Sequence, residues 1–419
     1  MIVDLIRNQF FLPELFSNLS IPVRRKYFLK SYVRRFLRSL LWLIYFGYPS
    51  RKLKLIGVTG TDGKTTVTNL VYHILQKAGK KVSVISTIYG KIGDEVFDTG
   101  FHVTTPAAQQ MQKYFRQAVK DGSEYFVVEA TSHGLDQFRL LGCKFEVGIL
   151  TNITHEHLDY HINYDNYLLA KAKLFQISKT SVLNADDESF SKVKKLAEGK
   201  VVSYGFSKKA DLNLQNYKFK TDLPGDYNKY NILAAAACAR ELGIEEKIIQ
   251  QAIADFNFLS GRMEEIKNNR GIKIIVDFAH TPNALEQALG TLRKGAKGRI
   301  IAVFGAAAER DIEKRPLMGE ISAKLADITV LTDEDPRFED RNKIIETIAG
   351  AAIEAGAKEG KTLFKEPDRE KAIKLAINLA KKGDIIGIFG KGHERSMNYQ
   401  GVEKPWSDQK AVIDALSVA

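Results

Sequence analysis

Residues 54–67, KLIGVTGTDGKTTV, constrain this chain more than any other stretch. The apolar start reads as a buried strand. Beyond the glycines, TVTNLVYHILQKAG carries apolar residues at i, i+3, i+4 and i+7, the spacing of a helix. The glycines between them let the backbone curl so that N–H groups face an anion at the helix N-terminus. A strand that feeds a helix through so tight a turn begins a parallel strand–helix unit.

The same alternation continues along the chain. KVSVIST, YFVVEA, FEVGILTNI and TSVLNA are short apolar runs between helical stretches, and IKIIVDFAH, GRIIAVFG, ADITVLTDED and GDIIGIFGKG form a second such series. The expected class is therefore α/β, with mainly parallel sheets covered on both faces. A turn near Leu259–Arg262 separates the two series. The expected domains are a basic amphipathic extension (1–50), a central domain (51–260) and a C-terminal domain (261–419). A length of 419 residues suits two or three cores. Cys143 and Cys238 are the only cysteines, which excludes a disulfide framework and fits a reducing cytoplasm.

Charge is unevenly spread. Residues 1–54 hold eleven Lys/Arg against Asp4 and Glu14, nine of the twelve net positive charges. The remainder is close to neutral, which gives nucleic-acid binding little electrostatic support. Within the extension, VRRKYFLKSYVRRFLRSLLWLIYFGYP mixes basic pairs with apolar residues at helical spacing. Two readings stay open: residues 22–50 lie on an anionic membrane surface, or they pack an apolar face on the body. No apolar run reaches about 18 residues, the length a spanning helix needs.

The loop Gly60-Thr61-Asp62-Gly63-Lys64-Thr65-Thr66 is shorter than the usual nucleotide loop, since Val58 stands where its first glycine would be. Its chemistry survives. Lys64 can neutralise terminal phosphates and the Thr65 hydroxyl can ligate Mg²⁺. Glu129 closes an apolar strand, at the edge where parallel sheets hold ligands. His155, His157 and His161 raise zinc as an alternative, but their i, i+2, i+6 spacing does not put all three on one helical face.

In sequence order these motifs resemble the Mur ligase superfamily. TGTDGKTT resembles its nucleotide loop, with Asp62 where Asn is commoner. TNITHEHLDYH resembles the segment whose His binds a second magnesium ion, which selects His157, and Glu156 replaces the usual Asp. YLLAKAKLF resembles the stretch whose lysine is carbamylated by CO₂, which selects Lys171 over Lys173. GDYNKYNILAAAA places Asn228 and Asn231 near the nucleotide. SGRME supplies Arg262 and Glu264, and VDFAHTPNAL supplies Asp277 and His280. RDIEKRPLMG is one residue shorter than the family form and supplies Lys314, after Ala306–Ala308 where glycines are usual.

Within the superfamily the likeness is to the tripeptide synthetases, which attach the third residue of the peptidoglycan stem peptide. It implies muramyl-peptide contacts at Thr104, Thr105, Ser132 and Arg139, and amino-acid selection by Asp335, Arg337, Gly390 and Glu394. An Arg can hold the distal carboxylate of meso-diaminopimelate bidentately, which L-lysine lacks, although Asp335 stands where Asn is usual.

The implied fold is a central nucleotide-binding domain with a mainly parallel sheet, followed by a Rossmann-like C-terminal domain. The implied reaction consumes ATP with two Mg²⁺ ions, held by Thr65, Glu129, His157 and carbamylated Lys171, and passes through an acyl phosphate to an amide. Lys64, Glu129, His157 and Lys171 are the expected catalytic residues. The expected protein is a cytoplasmic monomer working on small molecules. The usual N-terminal UDP-binding domain is expected to be absent or replaced, which keeps a sibling ligase with a lipid-linked or other acceptor as the alternative.

Overall fold

The structure is a computed structural model, and it describes residues 22–98, 104–154, 156–257, 259–309 and 311–417, without the side chains of residues 22–30 and of Leu158. His155 lies outside the described residues. The chain divides into two compact units. The first comprises residues up to Ile153, His161–Asp222 and Asn228–Phe256. The second comprises Thr154–Tyr160, Leu223–Tyr227 and everything from Asn257 onward.

The first unit is built on one nine-stranded sheet. Its strands are β1 (Lys54–Thr59), β2 (Val82–Ile85), β3 (Gly90–Ile92), β4 (Glu95–Phe97), β5 (Tyr125–Glu129), β6 (Phe145–Leu150), β7 (Ser178–Asn184), β8 (Lys200–Gly205) and β9 (Leu212–Asn213). Their spatial order is β4-β3-β2-β5-β1-β6-β7-β8-β9. Only the β2-β3-β4 edge is antiparallel. The central strands read as unbroken apolar runs because both sheet faces are covered: Leu55, Ile56, Val58, Phe126, Val127 and Val128 are fully buried.

Five helices of this unit matter below: α1 (Pro22–Phe46), α2 (Lys64–Lys77), α3 (Ala108–Asp121), α4 (Ser132–Asp136) and α5 (Tyr164–Gln176). α1 packs Tyr32, Phe36 and Leu43 against Phe138 and Leu141 of the body. The Tyr32 and Phe36 rings meet Phe138 edge-on at 4.6 and 5.3 Å. α5 lies so close over the sheet that a Cβ at Gly57 would sit 2.7 Å from Leu174 Cδ1. The first glycine of GVTG therefore serves packing, not phosphate.

The second unit has a six-stranded sheet: β10 (Glu264–Ile266), β11 (Lys273–Asp277), β12 (Ile300–Phe304), β13 (Ile328–Leu331), β14 (Leu363–Lys365) and β15 (Ile385–Phe389). The order is β10-β11-β15-β12-β13-β14. All pairings are parallel except β10 with β11. Apolar cores lie on both faces, one around Leu289, Phe304 and Ile348 and the other around Ile274, Ile373 and Val412. Both sheets are thus the mainly parallel α/β architecture that the alternating pattern predicts.

Candidate active site

Three parallel strands of the first unit end together, β5-β1-β6, and the loops beyond them make the site. The phosphate loop leaves β1 at Gly60 (φ 150°) and enters α2 after Gly63 (φ 80°). A Cβ at Gly60 would lie 1.8 Å from Thr151 Oγ1, and one at Gly63 would lie 2.4 Å from Asn231 Oδ1. Both places require glycine, for want of space as well as for φ.

The loop is stitched to its neighbours. Thr61 N donates to Asn152 O (2.8 Å) and Asp62 N to Asn152 Oδ1 (2.9 Å). Thr151 Oγ1 donates to Asp62 O at 2.6 Å. Lys64 Nζ reaches back to Thr61 O (2.7 Å), and Thr66 sits half-buried in the first turn of α2.

Glu129 ends β5 directly beside the loop, its register partner being Val58 of β1. Both of its carboxylate oxygens are 3.1 Å from Thr65 Oγ1, which donates to them. Thr87 N donates to Glu129 Oε2 at 2.9 Å, and Thr87 Oγ1 lies 3.0 Å from Thr104 Oγ1. Thr105 fixes the same strand end by donating to Glu129 O (2.7 Å). Arg139 donates to Thr105 O, and buried Ser132 opens α4 under the Thr131 cap. The muramyl-peptide candidates Thr104, Thr105, Ser132 and Arg139 therefore form one connected patch running from Glu129.

Lys171 and Lys173 part company on α5. Lys171, 1% exposed, directs Nζ to Gly60 O and lies 4.3 Å from the Tyr167 ring centre, while Tyr167 OH lies 3.1 Å from Thr61 Oγ1. Lys173 pairs with Asp136 at 2.7 Å. Of the two, Lys171 is the one at the phosphate loop. Asn231 donates to Asn228 Oδ1 (3.1 Å), and both are buried.

His157 belongs to the second unit, with Thr154–Tyr160. There its backbone is left-handed (φ 57°), and its Nδ1 is 4.0 Å from Glu156 Oε1. Glu156 is in turn 3.9 Å from Lys314 Nζ. His161, in the first unit, is buried against Tyr167 and His133, and burial pushes its imidazole down to about 3. Among the described residues no group of three or more His, Cys, Asp or Glu could hold a metal ion.

The remaining candidates cluster within the second unit. Arg262 lies over the Phe278 ring at 4.6 Å, and Asp277 accepts from Met263 N (2.6 Å) and Ala279 N (2.8 Å). Lys314 donates to His280 O at 2.9 Å. Burial first, and then the Lys314 charge, push the His280 imidazole down to about 3. SGRME touches the segment Gly390–Glu394: a Cβ on Gly261 would lie 2.1 Å from His393 N.

Lys391, fully buried, reaches Asp335 Oδ1 (2.9 Å) and Glu394 Oε2 (2.5 Å). Gly390 (φ 107°) closes over Glu334, whose Oε2 a Cβ would meet at 2.7 Å. Arg337 is half-buried, 4.0 Å from Glu309. Burial raises the Glu334 carboxyl to about 7. Glu334, Lys391, Thr87, Asn152 and Tyr167 were not singled out by sequence. Thr87 and Asn152 carried a signal, since each just follows an apolar strand.

The Mur ligase middle domain family matches residues 58–239, and the family described as Mur ligase, glutamate ligase domain matches residues 261–392. UDP-N-acetylmuramoyl-L-alanyl-D-glutamate--2,6-diaminopimelate ligase of Aquifex aeolicus (strain VF5) is 41% identical over 392 residues, covering 89% of this chain and 79% of the relative. The UDP-N-acetylmuramyl-tripeptide synthetase of Roseiflexus sp. (strain RS-1) is 35% identical over 408 residues, covering 89% and 80%. A solved structure of a UDP-N-acetylmuramoyl-L-alanyl-D-glutamate--2,6-diaminopimelate ligase superposes with a TM-score of 0.58 at 31% identity, covering 87% of this chain and 78% of that one. Two family models that together span most of its length, and a relative 41% identical over 89% of it, show that this chain belongs to the Mur ligase family, whose members are ATP-dependent amide-bond ligases.

Proposed function

We propose that the chain joins meso-diaminopimelate, in preference to L-lysine, to the free carboxylate of UDP-N-acetylmuramoyl-L-alanyl-D-glutamate. The observation that carries this reading is the meeting of Lys171, Thr65 and Glu129 at one phosphate loop. Relatives 41 and 39% identical to this chain over 89 and 88% of its length are named for that reaction.

In the proposed reaction a carboxylate oxygen attacks the γ-phosphorus of ATP, and ADP leaves. The amine nitrogen then attacks the carbonyl carbon of the acyl phosphate, phosphate departs and the nitrogen loses a proton. Loop N–H groups and Lys64 hold the phosphates, and Gly60, Thr61, Asp62, Gly63 and Thr66 shape that cradle. Asn228, Asn231, Arg262, Asp277, His280 and Lys314 serve the nucleotide.

The Thr65 hydroxyl and the Glu129 carboxylate are oxygen ligands of the kind magnesium takes, and when bound it would neutralise phosphate charge. His157 and Lys171 complete the proposed ligand set. Carbamylation of Lys171 by CO₂, in which the ammonium gives up two protons and its nitrogen bonds the CO₂ carbon, would replace a buried cation with an oxygen ligand. Arg337, Asp335, Gly390 and Glu394 select the amino acid, and Thr104, Thr105, Ser132 and Arg139 receive the muramyl peptide. The enzyme works as a cytoplasmic monomer, its central domain ending near residue 260.

The test is ATP-dependent ligation with UDP-linked and lipid-linked muramyl dipeptides, each offered with diaminopimelate and lysine, products being weighed by mass spectrometry. ADP release that needs both the UDP-linked dipeptide and diaminopimelate is the expected result. Sustained ADP turnover independent of any amino acid would reject the proposed diaminopimelate ligation, and turnover only with the lipid-linked dipeptide would replace the UDP-linked substrate.

A further inference from the structure

We propose that the outer face of α1 is a docking surface for anionic lipid headgroups. α1 carries two apolar faces. Tyr32, Phe36, Ser39 and Leu43 share the face buried against the body. Val33, Leu37, Leu41 and Ile44 recur at i, i+4, i+8 and i+11, which puts them on a second ridge turned away from the first. They are 39, 51, 67 and 53% exposed, and Tyr45 beside them is 71% exposed. Single exposed leucines are ordinary, whereas a continuous ridge marks an interaction surface.

The ridge is bordered by cations. Arg34 and Arg38 are exposed on α1, and Arg51 and Lys52 are exposed just beyond its end. α3, which packs beside α1, exposes Lys113, Arg116 and Lys120 at i, i+3 and i+7. Of the acidic residues that follow on the same segment, Asp121 is exposed and Glu124 is paired with Lys54 at 2.7 Å. The border is therefore strongly basic.

An apolar ridge edged with arginine and lysine fits a bilayer surface, where leucines enter the acyl boundary and cations meet headgroup phosphates. A nucleic acid would use the cations and leave the ridge wet. A second copy of the chain would cover the ridge but set like charges against one another. Among the described residues no helix is long and apolar enough to cross a membrane. The contact proposed is interfacial, with α1 lying along the bilayer. It is independent of which carboxylate and amine the active site joins.

The test floats the full chain with vesicles of phosphatidylcholine alone, and with vesicles in which about a third is phosphatidylglycerol. Flotation with the anionic vesicles, weakened by salt, is expected. Leu37→Ser with Leu41→Ser should weaken it at least ~10-fold, and Arg34→Gln or Arg38→Gln should each weaken it roughly fivefold. All four side chains point outward, so thermal melting and ligation of soluble substrates should not change. The proposal falls if the wild-type chain stays unbound to anionic vesicles, or if the ridge variant floats equally well. It falls also if that variant instead lowers the molar mass measured by light scattering, which would make the ridge a self-interface.

Discussion

Around Gly60–Thr66 hydroxyls and backbone groups hold the charged side chains of the first unit. Glu129 is held by a threonine hydroxyl and a backbone N–H, and Lys64 reaches a carbonyl. The second unit works differently. Arg369 and Asp408, both fully buried, form a two-pronged pair at 2.8 Å, and Lys391 is shared between Asp335 and Glu394. Backbone dipoles and hydroxyls suit a site whose anion changes charge during turnover, because they commit no counterion in advance. Fixed ion pairs hold charges at set positions in a low dielectric, which would suit the amino-acid selection proposed for Asp335 and Glu394.

The sharpest break of this contrast is Lys171→Ala, which should lower kcat by about 10³-fold or more, measured by coupled ADP release. Short carboxylic acids added to the assay should restore part of the rate, and full activity in the variant would remove Lys171 from the site. Arg369→Met comes next. It leaves Asp408 buried without its cation, and it should destabilise the second unit by about 3–5 kcal/mol in urea unfolding. The double change with Asp408→Leu should recover much of that loss, and an additive loss would deny the pairing its role.

Lys391→Met should raise KM for the amino acid about 10- to 100-fold while KM for ATP stays within about twofold. A matching rise in KM for ATP would show instead that the whole unit is disturbed.

The last expected effect appears only in acid. Burial holds the His161 imidazole at about 3, against 6.5 for an ordinary histidine. On acidification the unfolded chain takes up that proton first, near 6.5, so the folded state loses ground from there down to about 3. The urea midpoint should hold steady above about pH 7 and fall below it. His161→Phe should flatten that fall, and an unchanged profile in the variant would assign it to other groups.

Legibility in the sequence followed locality. The strands, α2 and the loop glycines were readable because each depends on residues a few positions apart. Thr87 was not read as a partner of Glu129, since β2 and β5 become neighbours only through a strand order that departs from chain order. The pairing of Lys391 with Asp335 spans 56 positions and leaves no local trace. Thr154–Tyr160 reads as part of the central stretch, yet it packs with the second unit.

By itself the sequence determined the α/β class, the glycine turn between strand and helix and the order of its motifs, because periodicity and glycine geometry act over one or two turns of chain. Tertiary structure alone decided the rest. Lys171 and Lys173 sit two positions apart on one helix, and only packing sends the first to Gly60 and the second to Asp136. A helix apolar on two faces likewise cannot announce which face it buries. The rings of Phe138 and Tyr32 made that choice for α1, leaving Leu37 and Leu41 outside.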